Sequence, residues 1–466
     1  MNQAQAQVQG ALSNIWKITA LREKILFTIA MIAIYRFGVH VPMPGIDHEK
    51  FSALMGGGNV LAGFLDLFSG GGLARFSVFA LGITPYINAS IIMQLMTSVI
   101  PKLEELQKEG GEAGRKKIQQ WTRYFTIVLA GIQAIGISNW LWASGVVLEH
   151  MPGKDPFPYM FFAVNFVTLI AGTIFIMWLG ELITERGIGN GASILIMVSI
   201  LAAMPTYVGR TSEGVEAGSY SWISVGILVL AYLAILVAIV IVQEGARRIP
   251  VQAAKRQVGG RLHQGRMSYI PFKINQGGVM PIIFASSLML FPYTVSSWFG
   301  SPQPKIPSVD WGKFFTPLFW TWENVKNAAT EIGTRLIAEM SGAGAVYNIM
   351  YFALIVFFSY FYASLVLNPA ELANNLKKYG NFIPGYRPGK PTAEYLEGVL
   401  NRITFMGAIF LGTVALLPNF VESWTNVRTF QGLGSTALLI MVGVAVDLYN
   451  QLQTHLLSRQ YEGFMK

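Results

Sequence analysis

The sequence predicts an all-α membrane protein with ten transmembrane helices. Of its 466 residues, 53% are hydrophobic and only 13% are charged, about half the charged share of soluble proteins. Apolar runs of about 20 residues, the length that crosses a bilayer as a helix, recur along the whole chain. These runs do not alternate between apolar and polar residues as β-barrel strands do. The composition therefore excludes an ordinary soluble protein and a disordered one.

The ten predicted spans leave short polar segments at both ends of the chain. Segment 1–23 is polar, and the first apolar run is long enough to remain as a span, so we expect no removable signal peptide. The predicted spans are 24–41, 76–100, 124–144, 159–183, 192–208, 222–243, 274–299, 346–367, 403–420 and 433–455.

The lysines and arginines predict that both termini lie in the cytoplasm. With an even number of spans, both termini lie on the same side of the membrane. Placing them in the cytoplasm puts 24 of the 34 basic residues at the inner face, with Lys24 counted in the N-terminal segment. The remaining 10 lie outside or near the outer face. Because basic residues concentrate on the cytoplasmic side, the distribution sets the orientation.

Segment 63–73, just before span 2, is apolar but too short to span, and it contains three consecutive glycines at 70–72. Glycines allow a sharp change of direction. The pattern fits a re-entrant segment, which membranes tolerate only where it is buried in protein or lines a cavity. The alternative is a loop lying in the outer interface.

Spans 2 and 7 are interrupted by polar and helix-breaking residues. Pro85 is expected to kink span 2, and Asn88 follows it at membrane depth. Span 7 begins with the irregular run 275–281. Each half of the chain would contain five spans. Because five is an odd number, the second half must cross the membrane in the opposite direction to the first. Interrupted spans in matching positions of two such halves indicate a functional interface. The alternative is that proline and glycine are simply common in transmembrane helices.

Few residues are suited to catalysis, metal binding or ion coupling. There is no cysteine, the five histidines lack the spacing of metal ligands, and neither glycine run continues into a P-loop. Charges within the spans are limited to Arg36, Glu181 and Asp447, whereas ion-coupled transporters keep paired ionisable groups deep in their helices. We therefore expect no enzyme activity, no cofactor and no metal.

Two cytoplasmic connectors are strongly basic. Connector 244–273 carries seven lysines and arginines against one acid, and connector 368–402 carries five. Orientation explains part of this charge. The excess favours docking of an acidic partner, such as RNA phosphate or an acidic protein face.

Four runs of the sequence match those of a known family. They are 68–71, 80–87, 183–191 and 374–378, and the match extends in the same order from span 1 to the C-terminal tail. In these runs the chain resembles the SecY family, the channel subunits of the bacterial protein translocon.

The resemblance implies a protein-conducting channel of two inverted five-helix halves, 24–208 and 222–455, with an external hinge at 209–221 and a cytoplasmic C-terminus at 456–466. The re-entrant segment, at about 61–73, would be a plug that closes the pore from outside. The plug residues would include Phe64, Leu65, Leu67, Phe68, Ser69 and Gly70. An apolar ring would constrict the pore at Ile83, Ile87, Ala192, Ile196, Ile283 and Ile440.

The resemblance also implies a lateral gate and a docking surface. The gate positions would be Asn88, Ile91, Gln133, Asn275 and Phe291, with the three polar residues making contacts across spans 2, 3 and 7. The docking positions would be Arg247, Arg248, Lys255, Arg256 and Arg387.

The implied function is that of the central subunit of a bacterial plasma-membrane translocon. Its partners would be SecE and SecG, the SecA ATPase, the ribosome, signal sequences, nascent polypeptides and membrane lipid. With no nucleotide site in the sequence, driving energy would come from a partner or the membrane potential. A secondary transporter with inverted repeats is the main alternative, and a membrane enzyme is a more distant one.

Overall fold

The computed structural model is almost entirely helical. It describes residues 18–56, 66, 68–108, 110–147, 159–253, 256–258, 261–263, 267–299, 345–425, 427 and 434–464. The helices are α1 Thr19–Val39, α2 His48–Gly56, α3 Thr84–Val99, α4 Pro101–Lys108, α5 Gly111–Ala143, α6 Tyr159–Arg186, α7 Gly191–Glu216, α8 Trp222–Glu244, α9 Met280–Phe299, α10 Ala345–Val366, α11 Pro369–Lys378, α12 Lys390–Thr425 and α13 Gly434–Phe464.

A helix overlaps each of the ten predicted windows. Within the described residues, six stretches of helix are long and apolar enough to cross a membrane: α5 to α8, the run Tyr347–Lys378, and α12 up to Glu422. The prediction of a helical membrane protein is therefore confirmed. Helix α3 falls short of that length because it has only 16 residues.

The helix boundaries correct the expectation for span 2. Residues 70–83 form turns rather than the start of a helix, and α3 begins only at Thr84. Pro85 therefore lies in the first turn, where its missing N–H has no helical partner to lose. The predicted kink at Pro85 was wrong for this reason.

The described parts of connector 244–273 include β-strands, for which the sequence analysis made no prediction. Strand β1, Ala246–Ala253, pairs antiparallel with β4, Met267–Lys273, and the small pair β2, Arg256–Val258, and β3, Arg261–His263, lies at the tip. Strand β5, Asn381–Phe382, comes from the other basic connector and pairs with β1 at Gln252 and Ala253. The strand order β4-β1-β5 joins the two basic connectors in one sheet.

The largest buried cluster draws on both halves of the chain. Helices α1, α3, α6 and α7 of the first half contribute to it, as do α8, α9, α10, α12 and α13 of the second. A separate cluster packs the sheet against α11 and α12 through residues such as Ile249, Phe272 and Leu396. The three-stranded sheet is therefore fixed to the helical bundle by its own apolar core.

Candidate functional site

Apolar side chains from four helices meet at the centre of the bundle. Ile83 and Ile87 lie one turn apart at the start of α3, and Ala192 and Ile196 lie one turn apart on α7, so each pair presents one face. The second half adds Ile283 from α9 and Ile440 from α13 to the same cluster. All five isoleucines are buried, and Ala192 is half-buried against them. The six predicted ring residues thus share one apolar cluster.

Phe68 belongs to that same cluster and is 2% exposed. The short helical piece that carries it is closed by local hydrogen bonds. The Asp66 carboxylate accepts from the Ala74 N–H at 2.7 Å, and Ser69 Oγ accepts from the Leu73 N–H at 2.8 Å. These bonds let the segment fold back at the glycines. Phe64, Leu65 and Leu67, the other predicted apolar plug residues, lie outside the described residues.

Side chains of α1 and α7 hold this segment in place. The Tyr35 hydroxyl donates to the Ser69 carbonyl at 3.3 Å and shares a 2.7 Å hydrogen bond with Ser199 Oγ. Arg36 Nη1 donates to the Gly70 carbonyl at 2.8 Å. We call these three contacts the segment anchor. Sequence reasoning had singled out Arg36 as a charge within a span but had not given it a partner.

Gly70 is required where the segment approaches the bundle. Its φ is +67°, and a Cβ added there would lie 3.1 Å from Ser199 Oγ and 3.2 Å from Arg36 Nη1. A side chain would therefore meet both a strained backbone and the segment anchor.

The predicted gate helices lie beside one another, since α9 packs against α3 and α5. Ile91 is buried in the central cluster. Asn88 and Gln133 are half-buried, and neither side chain hydrogen-bonds to any other described residue. The position of Phe291 lies on α9, but its side chain is outside the described residues.

Asn275 is oriented differently from the expectation. Its Nδ2 donates to Gln243 Oε1 on α8 at 3.0 Å and to the Gly278 carbonyl at 2.7 Å. Because α9 begins only at Met280, Asn275 lies in the irregular run before that helix. Its amide therefore ties the start of α9 to α8, and not to α3 or α5.

The structure describes the side chains of three of the five predicted docking residues. Arg247 and Arg248 are exposed on β1, and Arg387 is exposed in the turn after β5. The carbonyl of Arg387 accepts from Thr392 Oγ1 at 2.7 Å, which fixes the turn to the first residues of α12. Lys255 lies outside the described residues, and so does the side chain of Arg256.

An ion pair links α5 and α6, with Glu181 buried and Arg123 half-exposed. Arg123 Nε lies 2.8 Å from Glu181 Oε1, and Gln119 Nε2 donates to the same oxygen at 3.2 Å. Sequence analysis had identified Glu181 but not its partner. The described residues contain no cluster of three or more potential metal ligands.

The fold is similar to that of solved helical protein-conducting channels. A solved structure described as "The structure of a protein conducting channel" superposes with a TM-score of 0.60 at 18% identity, covering 93% of this chain and 92% of the other. A structure of SecY describing its plug domain gives a TM-score of 0.61 at 18% identity over the same shares. Sec61 in the canine ribosome-channel complex gives 0.55 at 16% identity, again over 93% and 92% of the chains.

Sequence comparison identifies the family. The SecY family model matches residues 77–449. The SecY translocase subunit of Synechococcus elongatus is 46% identical over 455 residues, covering 96% of this chain and 95% of the relative. That of Pseudomonas aeruginosa is 43% identical over 463 residues, covering 98% and 94%. The chain belongs to the SecY family, which consists of channel subunits and not enzymes.

Proposed function

We propose that this chain is the central channel subunit of a bacterial Sec translocon. It passes unfolded secretory polypeptides across the membrane and releases transmembrane segments sideways into lipid. The observation that carries the proposal is the shared burial of Phe68 with the ring isoleucines of α3, α7, α9 and α13. A re-entrant segment packed on an apolar centre between two halves is what a closed pore requires.

The central cluster is suited to sealing a pore that passes many different polypeptides. Such a pore cannot rely on specific ligands, so its seal must be non-directional. An apolar constriction excludes water and ions by dewetting and can close around an arbitrary side chain. Ala192 is smaller than the five isoleucines of the ring, so the ring is wider at this position on α7.

The segment from about Leu61 to Leu73 acts as the plug. The contacts of the segment anchor are ordinary hydrogen bonds, each with a net contribution of about 0.5–1.5 kcal/mol between neutral groups and somewhat more where Arg36 is the donor. Contacts of this strength keep the plug in place at rest and release it when a polypeptide enters.

The gate opens between α9 and the pair α3 and α5. Asn88, Ile91, Gln133 and Phe291 lie on the helices that separate. Asn275 contributes from the adjoining run, where its bond to Gln243 holds the inner end of α9 against α8. Interhelical polar contacts in membranes average about 0.6 kcal/mol, so few of them can hold a gate that a signal sequence still opens.

The cytoplasmic sheet is the docking surface for SecA and the ribosome. Its basic residues come from both connectors, with Arg247 and Arg248 on β1 and Arg387 after β5. In this proposal all ten helices cross the bacterial plasma membrane, both termini are cytoplasmic, and the hinge at 209–221 lies outside. SecE and SecG complete the channel.

The proposal is tested by replacing Ile83 and Ile283 together with Asn. Reconstituted into planar bilayers, this variant should conduct ions at rest and should accept defective signal sequences. Ile355→Asn is the matched control, because Ile355 is fully buried in the same cluster on α10 but is not a ring position. Resting conductance equal to that of the unmodified protein, or equal leakage in the control, would refute the assigned seal.

A further inference from the structure

A crevice of 370 Å³ lies between α10 and α12, where aromatic side chains open onto the outer surface of the bundle. Phe357 and Tyr360 line it and are 56% and 37% exposed. Asn401 and Thr404 line it from α12, within a few residues of the cytoplasmic end of span 9. In the orientation of the proposed function, on which this inference rests, the crevice faces the inner leaflet.

Thr404 supplies a polar group without a partner inside the crevice. The residue is 4% exposed, and its Oγ1 is buried with no hydrogen bond. Thr413 and Thr425 on this helix donate to the carbonyls of Ile409 and Val421, one turn back, at 2.8 and 2.9 Å. A buried hydroxyl without a partner is unfavourable, so this hydroxyl indicates a ligand that brings a polar atom.

A polar stripe continues from Thr404 towards the cytoplasm. Glu397, Asn401 and Thr404 are spaced as i, i+4 and i+7, which places them on one face of α12. Glu397 and Asn401 are exposed. From the water inward, the stripe therefore offers a carboxylate, an amide and a hydroxyl.

We propose that this crevice binds one inner-leaflet glycerophospholipid with a primary-amine headgroup. Glu397 would pair with the ammonium, and the Asn401 amide and Thr404 hydroxyl would donate to phosphate, glycerol or ester oxygens, while an acyl chain lies along the aromatic wall. The volume falls in the range of small-molecule sites. The aromatic wall opens onto the outer surface of the bundle, which in the proposed orientation faces the acyl chains of the membrane, and this favours a lipid as the occupant.

Native mass spectrometry of the purified full chain tests this site. The chain is equilibrated with phosphatidylethanolamine or phosphatidylglycerol, and retained lipid is measured for each. We expect retention of phosphatidylethanolamine to fall about fivefold in Thr404→Val, the effect of losing one hydrogen bond. Glu397→Gln should remove the preference for the amine lipid. Thr413→Val is the matched control on the same helix and should retain lipid unchanged.

A second measurement identifies the occupant directly. A photoreactive benzoylphenylalanine at position 360 should crosslink to phospholipid in membranes. Equal retention in Thr404→Val and the unmodified chain would overturn the proposal, and so would a polypeptide adduct at position 360. Retention is measured on idle protein, so loss of the proposed channel function would not change the result. Failure of the lipid site would equally leave the ring and plug assignments standing.

Discussion

The segment anchor gives a quantitative prediction about resting closure. Replacing Tyr35 by Phe removes the hydroxyl that contacts Ser199 and Ser69, and replacing Arg36 by Met removes the donor to the Gly70 carbonyl while keeping an unbranched stem. Both changes weaken the closed position of the plug. The free-energy cost of each change depends on whether the lost hydrogen-bond donor leaves a polar partner without a hydrogen bond.

The Tyr35→Phe change strands no polar group. In the variant the Ser199 hydroxyl is free to donate to the Leu195 carbonyl, which lies 2.9 Å away, and the Ser69 carbonyl still accepts from the Gly72 N–H at 3.3 Å. The loss should therefore be about 1 kcal/mol, or about fivefold in the ratio of open to closed plug.

The Arg36→Met change removes a charged donor, and a contact of that kind contributes about 1.5–3 kcal/mol. Its effect should be larger, about tenfold to a hundredfold.

Single-channel recording of the reconstituted protein measures this ratio as the resting open probability. Cysteines placed at Phe68 and Ile283 give a second readout, because their crosslinking should decline as the plug leaves the central cluster. Ser199→Ala completes a double-mutant cycle with Tyr35→Phe, and the two effects should not add if the shared hydrogen bond matters. Open probabilities within twofold of the unmodified protein in both variants would show that these contacts do not hold the plug.

Three further predictions concern other parts of the molecule. Gly70→Ala should raise resting leakage more than Gly71→Ala, because both have positive φ but only Gly70 has neighbours within 4 Å of an added Cβ; equal leakage would contradict this. Arg387→Glu should abolish SecA-dependent translocation while leaving insertion and folding intact, and normal translocation by vesicles carrying the variant would count against the docking surface. Glu181→Gln should lower the free energy of unfolding in detergent by about 1–2 kcal/mol, because it breaks a half-exposed ion pair with Arg123. Glu185 is an exposed neighbour, and Glu185→Gln should change the free energy of unfolding little.

The sequence predicts the helices well, because runs of apolar residues determine where helices lie. The positions of the apolar centre, such as Ile83 and Ile87, came from the resemblance to the SecY family and not from a local pattern, because the centre is formed by residues from distant parts of the chain. The start of α3 was predicted eight residues too early, since hydrophobicity continues through the turns before Thr84 and only the position of Pro85 signals the boundary.

The three-stranded sheet could have been predicted in part. Ile249 and Val251 alternate with more exposed residues, and Ile270 and Phe272 do the same on β4, which is the period of a half-buried strand. The pairing of β1 with β5 could not be predicted this way, because it joins residues 252 and 382, far apart in sequence. The direction of the Asn275 amide was also beyond local reasoning, since it depends on how α8 and the run before α9 pack.

The segment anchor has a consequence for the order of events when the pore opens. Tyr35, Arg36 and Ser199 all belong to the first half of the chain, whereas Ile283 and Ile440 belong to the second. If the halves move apart as rigid bodies, the plug travels with the first half and its hydrogen bonds survive the initial separation. Parting of the halves and departure of the plug are then two successive barriers, so a signal sequence can widen the side opening while the path for ions is still obstructed.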